Sequence, residues 1–550
     1  MVGVAGKSKG CNTCKKRKVR CDGEKPTCVR CWQANRVCEG YQRPRQFKNL
    51  SALDHNTLLA RTQPLTSLTE LSFKVYGNSS SIAEENDPIS RGILNKGNRL
   101  MARDPKLREP GNAANLTDLF LNFLSNYIPE EQAGSRSVHH NKTPVSWLQA
   151  IVPLQRSHTS LGLAMSALSM VGLGRKCGDG HLRSQGLAHY GRALSDLQNA
   201  LSSETLVFEE QTLASCMTLS IFEVLEVSGG NTLGWASHVE GISRLFQLRG
   251  PDLHVSGPSH HLFLGFRPTG IIHALALRNP TYLATQAWLK IPWTEQPKSD
   301  FHHLLDIMAQ IPALLDQTER FDKFSNSEIS LAERLQLLKQ ATILHLHLED
   351  WHQGLRSAPN HSEPLYSQRT SSQPWAGSSP ARSLQPVFAT FLHFRTFEMA
   401  RMLLFYWTGL LLLYNNILTI SSSALNDGHR STSTFASSPP LLEAVFVRRR
   451  ALETATLIAQ SMDYLLSDER RILGPQNVFF PLRTAMHVFS GANEYKLERW
   501  CRSVFEELDR RGYPFGKILS TWRWDDIPLF LSETLVTVRG KGDLGLGISG

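Results

Sequence analysis

Six cysteines fall between positions 11 and 38, in the segment CNTCKKRKVRCDGEKPTCVRCWQANRVC. Their spacing is C-x2-C-x6-C-x6-C-x2-C-x6-C. It is one C-x2-C-x6-C unit used twice, the second copy seventeen residues after the first. No other stretch restricts its own folding so strongly. A segment this short cannot bury an adequate apolar core, so it needs cross-links or metal. The opening MVGVAGKSKG lacks the apolar run of a secretory signal. Disulfides are therefore disfavoured and metal thiolates expected.

Structural zinc takes four ligands in a tetrahedron. Six thiolates cannot fill two separate four-ligand sites, but two ions can each reach four if two cysteines bridge both. The repeat points to the first cysteine of each half, Cys11 and Cys28. One ion would take Cys11, Cys14, Cys21 and Cys28; the other Cys11, Cys28, Cys31 and Cys38. Two structural Zn²⁺ ions are thus expected, with metal binding coupled to folding. A one-zinc finger would leave two cysteines unused, and a copper-thiolate store would not explain the basic residues among the ligands. The remaining cysteines, Cys177, Cys216 and Cys501, are scattered and expected to be buried free thiols.

The formal charge is +10, and residues 1–50 hold all of it: thirteen Lys/Arg against three Asp/Glu. A basic block on a neutral body indicates a polyanion-binding module joined to a globular regulatory part. The run Lys15, Lys16, Arg17, Lys18 also fits a nuclear-import signal.

At 550 residues and 41% hydrophobic, the chain is long and apolar enough for several packed units. From about residue 114 the apolar period is helical: Leu116, Leu119, Phe120, Phe123, Leu124 and Tyr127 share a face. Further helices are expected at 300–316, 330–356, 384–418, 442–467, 478–490 and 494–512. The expected fold is a small two-zinc, six-cysteine cluster domain with two short helices, plus a large all-α regulatory domain of antiparallel helix pairs. The expected divisions are a disordered basic start at 1–10, the cluster at 11–40, a linker at 41–113, the helical body at 114–530 and a tail at 531–550. Flexible Ser/Pro-rich loops are expected near 358–386 and 421–440. No sustained heptad marks a coiled coil. The apolar run Met402–Tyr414 is thirteen residues, too short for the roughly twenty of a membrane span. It is expected to be a buried core helix.

The cysteine segment resembles the fungal Zn₂Cys₆ binuclear-cluster transcription regulators, with all six cysteines at permitted spacings, KKRKVR after the second and Pro26 in the loop. Pieces of the body, such as SLGLAMSALSMVGLG and GWASHVEGISRLFQLRGP with Trp235, His238, Arg249 and Gly250, resemble the fungal-specific transcription factor domain. The resemblance implies a nuclear, DNA-binding RNA polymerase II regulator reading CGG-type half-sites and possessing no catalytic site. Carried over by position, Lys18 and Arg17 would read bases. Lys15, Lys16, Arg20, Lys25, Arg30, Arg43 and Arg45 would hold phosphates. Implied partners are double-stranded DNA, a second copy of the chain, and transcription machinery or co-regulators, with no membrane and no effector named. The alternatives are a zinc-bearing protein-interaction module and a metabolic enzyme with a zinc appendage.

The enzyme reading finds little support. GKGDLG at 540–545 leaves five residues for the helix that should hold a pyrophosphate. His345, Glu349 and His352 fall near one helical face, where an outward polar face is the simpler reading than a metal site. The acidic and aromatic segment WRWDDIPLF, ending at Phe530, hints at an activation segment.

Overall fold

The computed structural model describes residues 11–17, 19–22, 28–34, 36, 38, 113–129, 146–155, 159–226, 233–323, 331–358, 364–370, 387–426 and 444–521. Two compact units divide the chain, Met1–Asn49 and Leu50–Gly550. The expectations for 1–10, the linker up to residue 112, GKGDLG, WRWDDIPLF and the tail lie outside the described residues.

The first unit contains two five-residue helices, α1 (Asn12–Lys16) and α2 (Val29–Gln33), packed on each other. Helices this short do not persist alone. Each is held at its start by a sulfur: Cys11 Sγ accepts from the Cys14 N–H and Cys28 Sγ from the Cys31 N–H, both at 3.3 Å. The sequence repeat is therefore also a repeat of local structure.

The second unit is mainly helical. Its first described element is α3 (Ala113–Tyr127), which turns Leu119, Phe120, Phe123, Leu124 and Tyr127 inward. A short α4 (Trp147–Ala150) precedes α5 (Ser160–Cys177), α6 (Gly180–Leu201), α7 (Glu210–Leu225) and α8 (Leu233–Arg249). Helix α5 is buried on every side from Leu161 to Gly174, against α3, α6 and α7. Its serines survive there because Ser166 and Ser169 donate to the carbonyls of Gly162 and Met165, each at 2.7 Å. Helix α6 comes closest at Gly186. A Cβ there would sit 2.7 Å from Val171 Cγ2 and 3.1 Å from the Ala167 carbonyl oxygen, so only glycine permits the approach.

The chain continues through α9 (Gly257–Leu277), α10 (Gln286–Lys290), α11 (Asp300–Met308), α12 (Ile311–Lys323) and α13 (Leu331–Ser357). A strand pair follows, β1 (Tyr366–Arg369) antiparallel to β2 (Phe391–Phe394), with Tyr366 opposite Phe394. Then come α14 (Phe397–Asn426), α15 (Ala444–Gln460), α16 (Met462–Leu465), α17 (Leu473–Gln476), α18 (Phe479–Gly491), α19 (Tyr495–Arg510) and α20 (Phe515–Thr521). Helix α14 is the centre of this part: every residue from Met402 to Tyr414 is buried, against α11, α12, α13, α15 and α18. One apolar cluster runs continuously from Phe120 to Leu519.

Several expectations need correction. Helix α14 is longer than its thirteen-residue apolar run, and Phe397–Ser421 is long and apolar enough to cross a membrane; 83% of its most apolar stretch is buried inside the fold. Burial within the fold, rather than length, identifies it as a core helix. The helix expected at 384–418 starts only at Phe397, because Thr396 Oγ1 accepts from the Met399 N–H (3.2 Å) and caps it. Residues ahead of that cap pair with β1, which lies in a tract expected to be a flexible loop. The loop expected from 421 is helical to Asn426. The stretch 300–316 holds two helices, with Pro312 in the first turn of the second, where its missing N–H is harmless. The stretch 442–467 is broken at Ser461. Cys216 and Cys501 are buried free thiols, but Cys177 is only half-buried.

Tight backbone packing recurs at the start of α17. A Cβ on Gly474 would lie 2.5 Å from Arg470 Cβ and closer still to the Leu465 carbonyl oxygen. A carbonyl cannot rotate aside as a side-chain end can. Gly474→Ala is therefore expected to destabilise the body by about 2–3 kcal/mol, read as a lower urea midpoint of helix loss.

Candidate metal centre and nucleic-acid interface

The six sulfurs of the first unit converge. Cys11, Cys14, Cys21 and Cys28 place their Sγ atoms within 4.8 Å of one another, and so do Cys11, Cys28, Cys31 and Cys38. The two groups share Cys11 and Cys28, whose sulfurs are 3.6 Å apart. Cys14 and Cys28 are 3.7 Å apart, and Cys11 and Cys31 3.8 Å. Zinc with Zn–S bonds of about 2.3 Å needs tetrahedral S···S edges of about 3.8 Å. The donor set fits a thiophilic metal in both number and spacing, and among the described residues these two groups are where three or more metal-type ligands meet.

Without a metal these sulfurs keep their protons. Burial pushes the Cys11 thiol up to about 12 and raises those of Cys14 and Cys28. A coordinated metal deprotonates a thiol outright, so binding replaces these protons with the ion. Backbone N–H groups then support the sulfurs: Cys14 to Cys11, Cys31 to Cys28, and Cys11 to Cys21, each at 3.3 Å.

The charged residues lie around this core. Lys16, Arg17 and Arg20 are exposed in or just after α1, and Arg30 is exposed on α2. Lys15 is the fourth residue of α1. Lys18, Lys25, Arg43 and Arg45 lie outside the described residues. The structure therefore brings Lys16, Arg17, Arg20 and Arg30 onto the surface of the sulfur core.

Three features were missed from sequence. Asp22 accepts from the N–H groups of Val29 (2.9 Å) and Arg30 (3.2 Å), tying the end of the first half to the start of α2. Its position after a ligand and ahead of a helix start, where carboxylates are favoured, was the available signal. Trp32 is 75% exposed on α2, and Arg36 is exposed beyond it.

The trio His345, Glu349 and His352 is not an outward polar face. His345 is buried, with Nε2 3.1 Å from the Tyr414 hydroxyl and 3.8 Å from Glu349, while His352 stacks on Tyr406 at 4.6 Å between ring centroids. Aromatic partners on α14 account for both histidines.

The family model of the fungal specific transcription factor domain matches residues 123–521, most of the chain, and that of the fungal Zn(2)-Cys(6) binuclear cluster domain matches residues 9–48. The chain belongs to the fungal Zn(2)-Cys(6) transcription factors. Such factors regulate transcription, bind DNA and usually act in the nucleus, and their cluster implies zinc. This transcription factor is 30% identical over 148 residues to the uncharacterized protein AN5342 of Emericella nidulans, covering 27% of the chain and 31% of that relative. It is 53% identical over 32 residues to the transcriptional regulatory protein moc3 of Schizosaccharomyces pombe, 6% of each chain. It is 52% identical over 33 residues to white-opaque regulator 2 of Candida albicans, 6% of this chain and 7% of that one. The transcription factor thus spans under a third of the length of each of these relatives. No solved structure matches it significantly.

Proposed function

We propose that this chain is a sequence-specific regulator of RNA polymerase II transcription that reads CGG-type half-sites through its first unit. The observation that carries the reading is the pair of four-sulfur groups sharing Cys11 and Cys28, with exposed Lys16, Arg17 and Arg20 on or beside α1. In this reading two zinc ions, when bound, fold the unit; Cys11 and Cys28 serve both, and Cys14, Cys21, Cys31 and Cys38 complete the sets. Lys18 and Arg17 meet guanine edges, since Lys or Arg on O6 and N7 is the commonest specific major-groove contact. Lys15, Lys16, Arg20, Lys25, Arg30, Arg43 and Arg45 neutralise phosphates and set the register. The run from Lys15 to Lys18 also serves nuclear import when DNA is absent. The body, built of antiparallel helix pairs, is the regulatory part, acting through a second copy or co-regulators on a metabolic gene set. The names of the moc3 and white-opaque relatives, matched over a stretch the length of the cluster, support a regulatory role over an enzymatic one.

Selection of bound sites from random duplex with the full chain tests the reading. Recovery of CGG triplets supports it, and recovery of unrelated sequence refutes it. Lys18→Ala is expected to lose about 1–3 kcal/mol of discrimination between CGG-bearing and scrambled duplex. Lys16→Ala should instead weaken both duplexes alike and make the salt dependence shallower by about one phosphate contact. Competition binding at two salt concentrations separates the outcomes.

A further inference from the structure

A cavity of about 380 Å³ lies within the second unit, where helices from both ends of the body meet. Trp147 and Trp235 contribute from the first half, and Phe397, Phe405, Phe480 and Phe515 from the second. That volume falls in the range of about 300–1,000 Å³ typical of small-molecule sites.

The walls hold apolar surface that the fold leaves uncovered. Trp147, Ile221, Val224, Trp235, Leu264 and Phe515 line the cavity, and each is only partly buried against the core. Covering such surface with an apolar body removes it from water, which is favourable.

Local structure sets the aromatic walls in place. Helix α4 carries Trp147 and starts with a capping box. Ser146 Oγ accepts from the Leu148 N–H at 3.3 Å, and Gln149 Oε1 accepts from the Ser146 N–H at 3.2 Å. The Trp147 indole lies so close to α9 that a Cβ on Gly265 would collide with its ring. Trp235 stands edge-on to Phe515, with 5.8 Å between ring centroids and 62° between planes.

The charges of the lining are already matched. Its charged side chains are Glu398, Arg401 and Arg483. Glu398 accepts from Arg401 Nη2 at 2.8 Å. Arg483 is 4% exposed and is engaged within the fold. His302 also lines the cavity, and burial, with Arg267 nearby, holds its ring neutral. A charged ligand would lose its water here without gaining a counter-charge, which is costly.

We propose that this cavity binds a small, flat, neutral aromatic molecule. Its rings lie against the tryptophan and phenylalanine walls, where offset and edge-on ring contacts add to the gain from burial. The matched charges disfavour its ionised relatives. Because the walls come from both ends of the body, an occupant ties them together and stabilises the folded state. The inference stands apart from the DNA reading, because its test reads ligand binding and heat stability directly.

Four probes make the test: 1-naphthaleneacetamide, the anion 1-naphthaleneacetate, the cation 1-naphthylmethylammonium, and the globular neutral 1-adamantaneacetamide. Each is titrated into the full-length, zinc-loaded protein by calorimetry. Thermal unfolding is then followed by far-ultraviolet circular dichroism with and without each probe. The naphthyl amide is expected to saturate a single site about tenfold or more tightly than either ion. It should also bind more tightly than the adamantyl amide and raise the unfolding temperature. Ala276→Phe, which narrows the cavity from α9, should weaken the naphthyl amide about tenfold or more while leaving the helical circular dichroism intact. Should that variant lose helix, Val224→Phe, which narrows the cavity from α7, takes its place. Four results would each overturn the proposal: no saturable binding of the naphthyl amide, an ion that binds as tightly, a globular amide that binds as tightly, or undiminished binding in a folded cavity-narrowing variant.

Discussion

Cys28→Ser is expected to remove DNA binding altogether and, on the proposed two-zinc reading, to cost both ions, where Cys38→Ser costs mainly one. The difference follows from the geometry: Cys28 belongs to both four-sulfur groups and Cys38 to one. Cys28 also caps α2 through the Cys31 N–H, so its loss removes a metal ligand, a bridge and a helix start together. Structural zinc in small domains is worth about 10–16 kcal/mol of apparent binding free energy, far more than a unit of this size gains from apolar burial. The free energy of metal binding is in effect the free energy of folding. Metal counting by a chromogenic chelator after unfolding should find two zinc ions in the parent protein, none retained by Cys28→Ser, and about one by Cys38→Ser. Gel-shift titration should show at least a hundredfold loss of affinity for duplex in the first variant. An intact affinity in excess chelator would refute the structural role of the metal.

The second large effect lies in the body. Arg267, on α9, is fully buried. It pairs with Asp306, donates to the His302 carbonyl at 2.9 Å, and lies over the Trp293 ring, 5.4 Å from its centroid. Burial works against its charge and the Asp306 carboxylate offsets this. Arg267→Ala is expected to destabilise the body by about 3 kcal/mol, toward the low end for a broken buried pair. The low end applies because Asp306 keeps Lys298 at 2.6 Å and is itself partly exposed. What remains is a His302 carbonyl that has lost the donor added to its helical bond, and a void beneath Trp293. Arg267→Met refills most of the void and none of the hydrogen bonds, so its cost separates packing from polar loss. Urea unfolding of both variants, followed by far-ultraviolet circular dichroism, measures the difference. A change below about 1 kcal/mol in Arg267→Ala would show that the network adds little to stability.

The parts of this protein that were legible in its sequence are those whose determinants lie close together along the chain. The sulfur groups could be read because spacing alone dictates which cysteines fall near one another. The core helices could be read because a 3.6-residue apolar period is local: α13, α18 and α19 lie within a residue or two of their expected limits. Distant partners hid the rest. Phe391–Phe394 looks helical by composition and is a strand because Tyr366–Arg369 lies beside it. His345 looks outward until Tyr414, sixty-nine residues later, gives its ring a bonding partner. The Asp22 link depends on a loop bringing residue 22 to residues 29 and 30. The cavity was invisible for the same reason, since its lining runs from Tyr127 to Leu519.

The central position of α14 has a consequence for how the protein is made. Among the described residues this is the helix long and apolar enough to cross a membrane, yet α15 and α18, which cover part of it, lie downstream. Roughly ninety-five residues separate its end at Asn426 from the end of α20 at Thr521. At about 5–20 residues per second, the ribosome leaves that apolar surface without its later partners for on the order of ten seconds. A message cut short after residue 430 would therefore yield a chain that clings to chaperones and is degraded. It would not yield a free-running DNA reader relieved of its body. A cell that needs the first unit acting alone would have to separate it before α14 is translated, or cleave it from the finished fold.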